Sequence, residues 1–116
     1  MQPEERDIAL LWDMRKAAQE IIDFIDGKTF RQFSDNKILR YAVERQLLVI
    51  GEAANHVSES FQTSHPEIPW TGIIGQRNIL APEYGEILVE RIWLAASERI
   101  PELVELLNPL IPKEPN

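Results

Sequence analysis

Apolar residues three and four positions apart run through most of this chain, and they leave it little choice but to be a helical protein. Leu39, Val43, Leu47, Ile50, Ala54, Val57 and Phe61 repeat at this spacing for roughly six turns, since one helical turn takes about 3.6 residues. Ile8, Leu11, Trp12, Ala18, Ile21, Ile22 and Ile25 form a second stripe. That stripe predicts a first helix from about Glu4 to Asp26, with Gly27 as its C-cap. Lys28 to Phe33 reads as a short connection. Ser34 is the expected N-cap of the second helix, with Asp35 beside its positive dipole end. Gly51 inside that helix suggests close approach of a neighbour, because it costs helix propensity.

Prolines punctuate the second half. His65-Pro66 and Ile68-Pro69 make 62–69 a loop, because the residue before proline avoids the helical region. A third helix is expected from Trp70 through Ile73, Ile74, Arg77 and Leu80. Pro82 then ends or kinks it, because proline lacks the amide proton and clashes with the preceding turn. A fourth helix is expected over 86–98, on Ile87, Val89, Ile92, Trp93 and Ala96. Pro101 suits the first position of a short last helix. Pro109, Pro112 and Pro115 mark a tail, which places one domain at 1–110 and the tail at 111–116. No strand pattern, internal repeat or linker interrupts this reading. Trp12, Trp70 and Trp93 each sit in an apolar helical pattern and read as core or interface packing.

Composition narrows the function. The 116 residues contain no cysteine, which excludes disulfides, thiolate metal sites and a cysteine nucleophile and suits a reducing cytoplasm. The charged start lacks the apolar run of a signal peptide, and no apolar stretch is long enough to span a membrane. The net charge is −7 and the isoelectric point about 4.8. That balance argues against tight non-specific binding to nucleic acid, which phosphate contacts drive. It leaves room for a small local site of arginines.

One segment carries candidate chemistry: Arg77-Asn78-Ile79-Leu80-Ala81-Pro82-Glu83-Tyr84. An arginine can hold phosphate oxygens with two hydrogen bonds while staying charged. Asn78 can donate or accept beside it, and Tyr84 offers a hydroxyl. Taken alone, Arg77 reads as an ordinary salt-bridge partner and Tyr84 as a half-buried aromatic.

Wider context changes that reading. Glu44-Arg45-Gln46 and Ile50-Gly51-Glu52-Ala53, then His65-Pro66-Glu67-Ile68-Pro69-Trp70, the Arg77–Tyr84 segment and Ile100-Pro101-Glu102-Leu103 together resemble the HepT-like toxins of the HEPN superfamily. The match runs in order over nearly the whole chain. It implies an all-α, antiparallel four-to-five-helix bundle that forms a homodimer with the motif at the subunit interface. It implies a metal-independent ribonuclease that needs no cofactor and takes RNA as substrate. It further implies a nucleotidyltransferase antitoxin that attaches AMP to the motif tyrosine, here Tyr84. The chain departs from the family pattern at one position, where Pro82 stands in place of the motif histidine.

RNA brings its own nucleophile, the 2′-hydroxyl. Cleavage needs that oxygen deprotonated, the leaving 5′-oxygen protonated and the phosphorane charge stabilised. Histidine moves protons near neutral pH; proline has no group that can. Arg77, Asn78 and Tyr84 therefore remain while the proton shuttle at position 82 is lost, and the chain is expected to be inactive. His56, on the second helix, reads as a surface residue, and His65 as a loop residue capping backbone groups. Glu52 and Asn55, one turn apart on the second helix, are candidates to support the site, with interhelical hydrogen bonding as their plainer role. Two other functions fit the same residues: a non-catalytic regulatory partner of a nucleotidyltransferase, and a substrate-binding accessory of such an enzyme.

Overall fold

The computed structural model describes the backbone of residues 3–79 and 85–112, and the side chains of residues 5–75 and 88–112. Among these residues every regular element is a helix. In chain order they are α1 (Pro3–Ile25), α2 (Phe30–Asp35), α3 (Lys37–His56), α4 (Glu59–Ser64), α5 (Trp70–Ile79), α6 (Gly85–Leu94) and α7 (Ile100–Leu107). A π-helical turn over Ala95–Arg99 joins α6 to α7, and a short 3-10 turn, Asn108–Leu110, closes the series.

The long helices α1 and α3 form the central pair, with α5 packed on α3 and α7 on α1. Leu11, Met14 and Ile21 of α1 meet Val43, Leu47 and Ile50 of α3 in one continuous core, joined by Ile92, Ile100, Leu103 and Leu107. Apart from Ile8 and Trp12, the stripes read from the sequence thus pack into or against the core. Gly27 ends α1 at φ +72°, the left-handed conformation that favours glycine.

Capping differs from expectation at two places. Ser34 does not start the second long helix. It lies inside α2, which begins at Thr29 with a reciprocal box: Gln32 N donates to Thr29 Oγ1 (3.1 Å), and Thr29 N donates to Gln32 Oε1 (2.9 Å). This short helix buries Phe33 fully. Asn36 then caps α3, its Oδ1 accepting from Leu39 N at 3.0 Å. The second difference is a break in the long apolar run at Val57 and Ser58. The buried Asp7 of α1 accepts from Ser58 N (2.9 Å) and from Ser58 Oγ (2.6 Å), while Ser58 Oγ accepts from Phe61 N (3.2 Å). Gln62 turns back and donates to the carbonyls of Ala54 and Val57 at 3.3 and 3.0 Å. The open ends of two helices are thereby satisfied at one corner. Asp7→Ala removes both acceptors and leaves the half-buried Ser58 donors without them, so it should lower folding stability by about 1–3 kcal/mol, read from urea unfolding.

The fourth and last helices also differ from expectation, because they form one continuous run. Pro101 cannot donate a backbone bond, and its ring crowds the preceding turn. The backbone widens just upstream, where Ile100 N donates to Ala95 O in the π pattern. Ser97 Oγ donates to the Trp93 carbonyl at 2.7 Å. Trp93 is half-buried, with its ring 5.3 Å from that of Phe33 and 6.1 Å from that of Phe30. Trp70 is buried as expected. Trp12 is 36% exposed, with the Lys16 ammonium 5.6 Å from its ring; it lies on the surface of α1, outside the core. No helix among the described residues is long and apolar enough to cross a membrane.

Candidate active site

The site segment follows from how α5 is started. His65 and the two prolines after it prevent α4 from continuing. The His65 carbonyl accepts from Trp70 Nε1 (3.0 Å) and from Ile68 N (3.3 Å). The Trp70 ring stands edge-on to Phe61 at 6.3 Å. Because Gln62 ties α4 to the end of α3, α5 begins beside the C-terminal end of α3 and packs along it, with Ile73 buried. Arg77 and Asn78 fall in the last turn of α5; their side chains lie outside the described set. Pro82 and Tyr84 also lie outside the described residues, between Ile79 and the start of α6 at Gly85.

The neighbouring candidates are better defined. Glu52 is half-buried on α3, and Asn55 and His56 are exposed. His65 is engaged: its ring lies 4.4 Å from that of Phe61, and Nδ1 is 3.2 Å from Glu67 Oε2. Its backbone capping therefore comes from the carbonyl, while the ring packs and pairs. The Glu67 backbone N–H beside its own carboxylate, with His65 adding to it, holds that carboxyl below the ordinary range.

On α3, burial pushes the Glu44 carboxyl above the ordinary range, against the pull of Arg40 one turn away. Arg40 Nε is itself buried, with no hydrogen-bond partner among the described residues. Folded Glu44 thus holds its proton to higher pH than it does in the unfolded chain. Its contribution to stability falls as pH rises from the ordinary carboxylate range through the folded pKa. Glu44→Gln should be more stable than the parent at pH 7 by a few tenths of a kcal/mol, a size suited to a partly solvated charge. The gap should close below about pH 3.5, where the unfolded carboxyl is also protonated. Urea titrations at the two pH values check this.

Comparison with known proteins places this arrangement. Residues 14–110 match the family model described as "Ribonuclease HepT-like". "Putative RNase MJ1380" of Methanocaldococcus jannaschii is 35% identical over 85% of this chain and 92% of its own length. "Putative RNase MJ0127" of the same organism is 33% identical, over 94% and 90% of the two chains. "Probable ribonuclease HepT" of Thermococcus cleftensis is 34% identical, over 80% and 84%. No solved structure matches. The chain belongs to the HepT-like ribonuclease family. The matched span includes every candidate site residue, Arg77, Asn78, Pro82 and Tyr84 among them.

Proposed function

We propose that this chain is the toxin component of a HEPN/nucleotidyltransferase toxin–antitoxin pair, built as a metal-independent endoribonuclease and silenced by AMP addition to Tyr84. The observation that carries the reading is the Arg77–Tyr84 sequence, which begins in the last turn of α5 with Arg77 and Asn78 and falls inside a ribonuclease family match. A homodimer would set two such segments side by side about its two-fold axis. Arg77 would hold the scissile phosphate and stabilise its added charge. Asn78 would position an oxygen nearby, with Glu52 and Asn55 supporting from α3. Residue 82 would move the proton, a step that Pro82 does not allow, so the chain as it stands is a disabled nuclease. AMP on Tyr84 would bring a negative phosphate beside Arg77 and repel RNA. The protein would act in the cytoplasm, with residues 1–110 as the working domain.

Product chemistry tests the proposal. RNA cut by the Pro82→His protein, with chelator present, should carry 2′,3′-cyclic phosphate ends. Transfer of AMP to Tyr84 by the partner nucleotidyltransferase should stop the cutting, and Tyr84→Phe should escape that block. Ends bearing a 5′-phosphate, or a requirement for divalent metal, would count against it. Pro82 itself favours a second reading, a non-catalytic partner of a nucleotidyltransferase. That reading predicts a stable complex and no cleavage even with histidine at position 82.

A further inference from the structure

The negative charge of this protein is unevenly spread. Residues 28–45 hold five cations, Lys28, Arg31, Lys37, Arg40 and Arg45, against two carboxylates. The net charge of this stretch is +3, which leaves −10 on the rest of a chain whose total is −7. The stretch folds into one corner made of α2 and the first half of α3. Lys37, Tyr41 and Arg45 follow one another at four-residue intervals on α3, so they form a single ridge. All three are exposed. Lys28 and Lys37 line the same shallow depression, together with Gln32, Asp35, Asn36 and Ile38. Arg31 meets Asp35 only at 3.8 Å, with both side chains largely in solvent, so its charge is not consumed by that pairing.

The same ridge exposes apolar surface. Tyr41 is 57% exposed, with the Lys37 ammonium 5.7 Å from its ring, and Ile38 is 83% exposed. Cations interleaved with an open aromatic face are what a single strand needs, phosphates to the charges and a base to the ring. We infer that the α2–α3 corner carrying Lys28, Lys37, Tyr41 and Arg45 binds single-stranded RNA, the substrate of the ribonuclease reading. The substrate role rests on the ribonuclease reading above; the binding surface rests on the corner's own residues. The acidic remainder does not prevent binding, because charges more than about 8 Å away are screened at physiological ionic strength. It does disfavour RNA on the acidic faces elsewhere.

The chain as it stands suits the test, because Pro82 spares the RNA. Anisotropy of a labelled, unstructured oligoribonucleotide should show binding at about 0.15 M salt, where the acidic remainder is screened. Lys37→Glu combined with Arg45→Glu should weaken it by at least about tenfold. The same pair should flatten the salt dependence, by about 0.7 in the log–log slope for each phosphate no longer neutralised. Tyr41→Ala should weaken binding by about fivefold, the worth of one stacked base. Lys16→Glu combined with Arg99→Glu makes the same charge change elsewhere and should have much less effect. Circular dichroism confirms that each variant folds. Three results would overturn the inference: no RNA bound by the parent, which would point to an anionic protein as the occupant; the Lys37/Arg45 variant binding as tightly as the parent; or equal weakening by the control pair. Cleavage by Pro82→His protein with binding indifferent to this corner would refute the surface and leave the ribonuclease reading standing. Corner-dependent binding without any cleavage by that protein would do the reverse.

Discussion

Phe33→Ala should lower the folding free energy by about 3–5 kcal/mol, the usual cost when a fully buried phenylalanine is truncated. Phe33 has no solvent exposure. Its ring packs 5.3 Å from that of Trp93 and is the buried anchor of α2, a helix of six residues. A helix that short has no stability of its own, so truncation removes both the core packing and the reason for α2 to dock. A domain of this size has only about 5–15 kcal/mol in hand, and the variant should sit near the edge of folding. Urea unfolding followed by tryptophan fluorescence measures the change, and Trp93 reports the site directly. Phe33→Leu, which keeps most of the volume, should cost clearly less. A change under about 1 kcal/mol for Phe33→Ala would mean that α2 is not held by this ring.

The long helices were legible because their signals are local and repeated. The stripe of α1, the left-handed Gly27 and the start of α5 after two prolines all depend on residues within a few positions of one another. What escaped depends on partners far away or on competition between caps. The apolar spacing continues smoothly through Val57 to Phe61, and nothing nearby says that a helix ends there. The break is made by Asp7, fifty-one residues earlier, which accepts from Ser58. Thr29 with Gln32 was a readable capping box, but Ser34 offered a rival cap, and only the burial of Phe33 decides between them. The π-helical turn needs the packing on both sides of Pro101 to be known. Trp12 fits an apolar stripe by spacing and yet lies at its margin, where Lys16 covers part of the ring. At the candidate site, the sequence alone shows that residue 82 is proline. The fold adds that Arg77 and Asn78 close α5, with the linking residues after them. The basic corner was hidden inside an overall negative charge, which averages over the surface that matters.

Pro82→His should raise RNA cleavage by roughly two to four powers of ten, the usual worth of a positioned acid or base. The gain has two sources. Histidine restores a group that exchanges protons near neutral pH, and it removes a ring that cannot continue a helix after Arg77. The restored activity should depend on pH through a group titrating at about 6.5, the ordinary histidine value, and should be lost again in Pro82→His/Arg77→Ala, which lacks the phosphate clamp. The parent and the Pro82→His protein should therefore be compared on one RNA at pH 7 with chelator present, both confirmed folded. The account predicts fast, metal-independent cleavage by the histidine protein and little or none by the parent; equal rates from the two would contradict it, by showing that residue 82 is not where the proton moves.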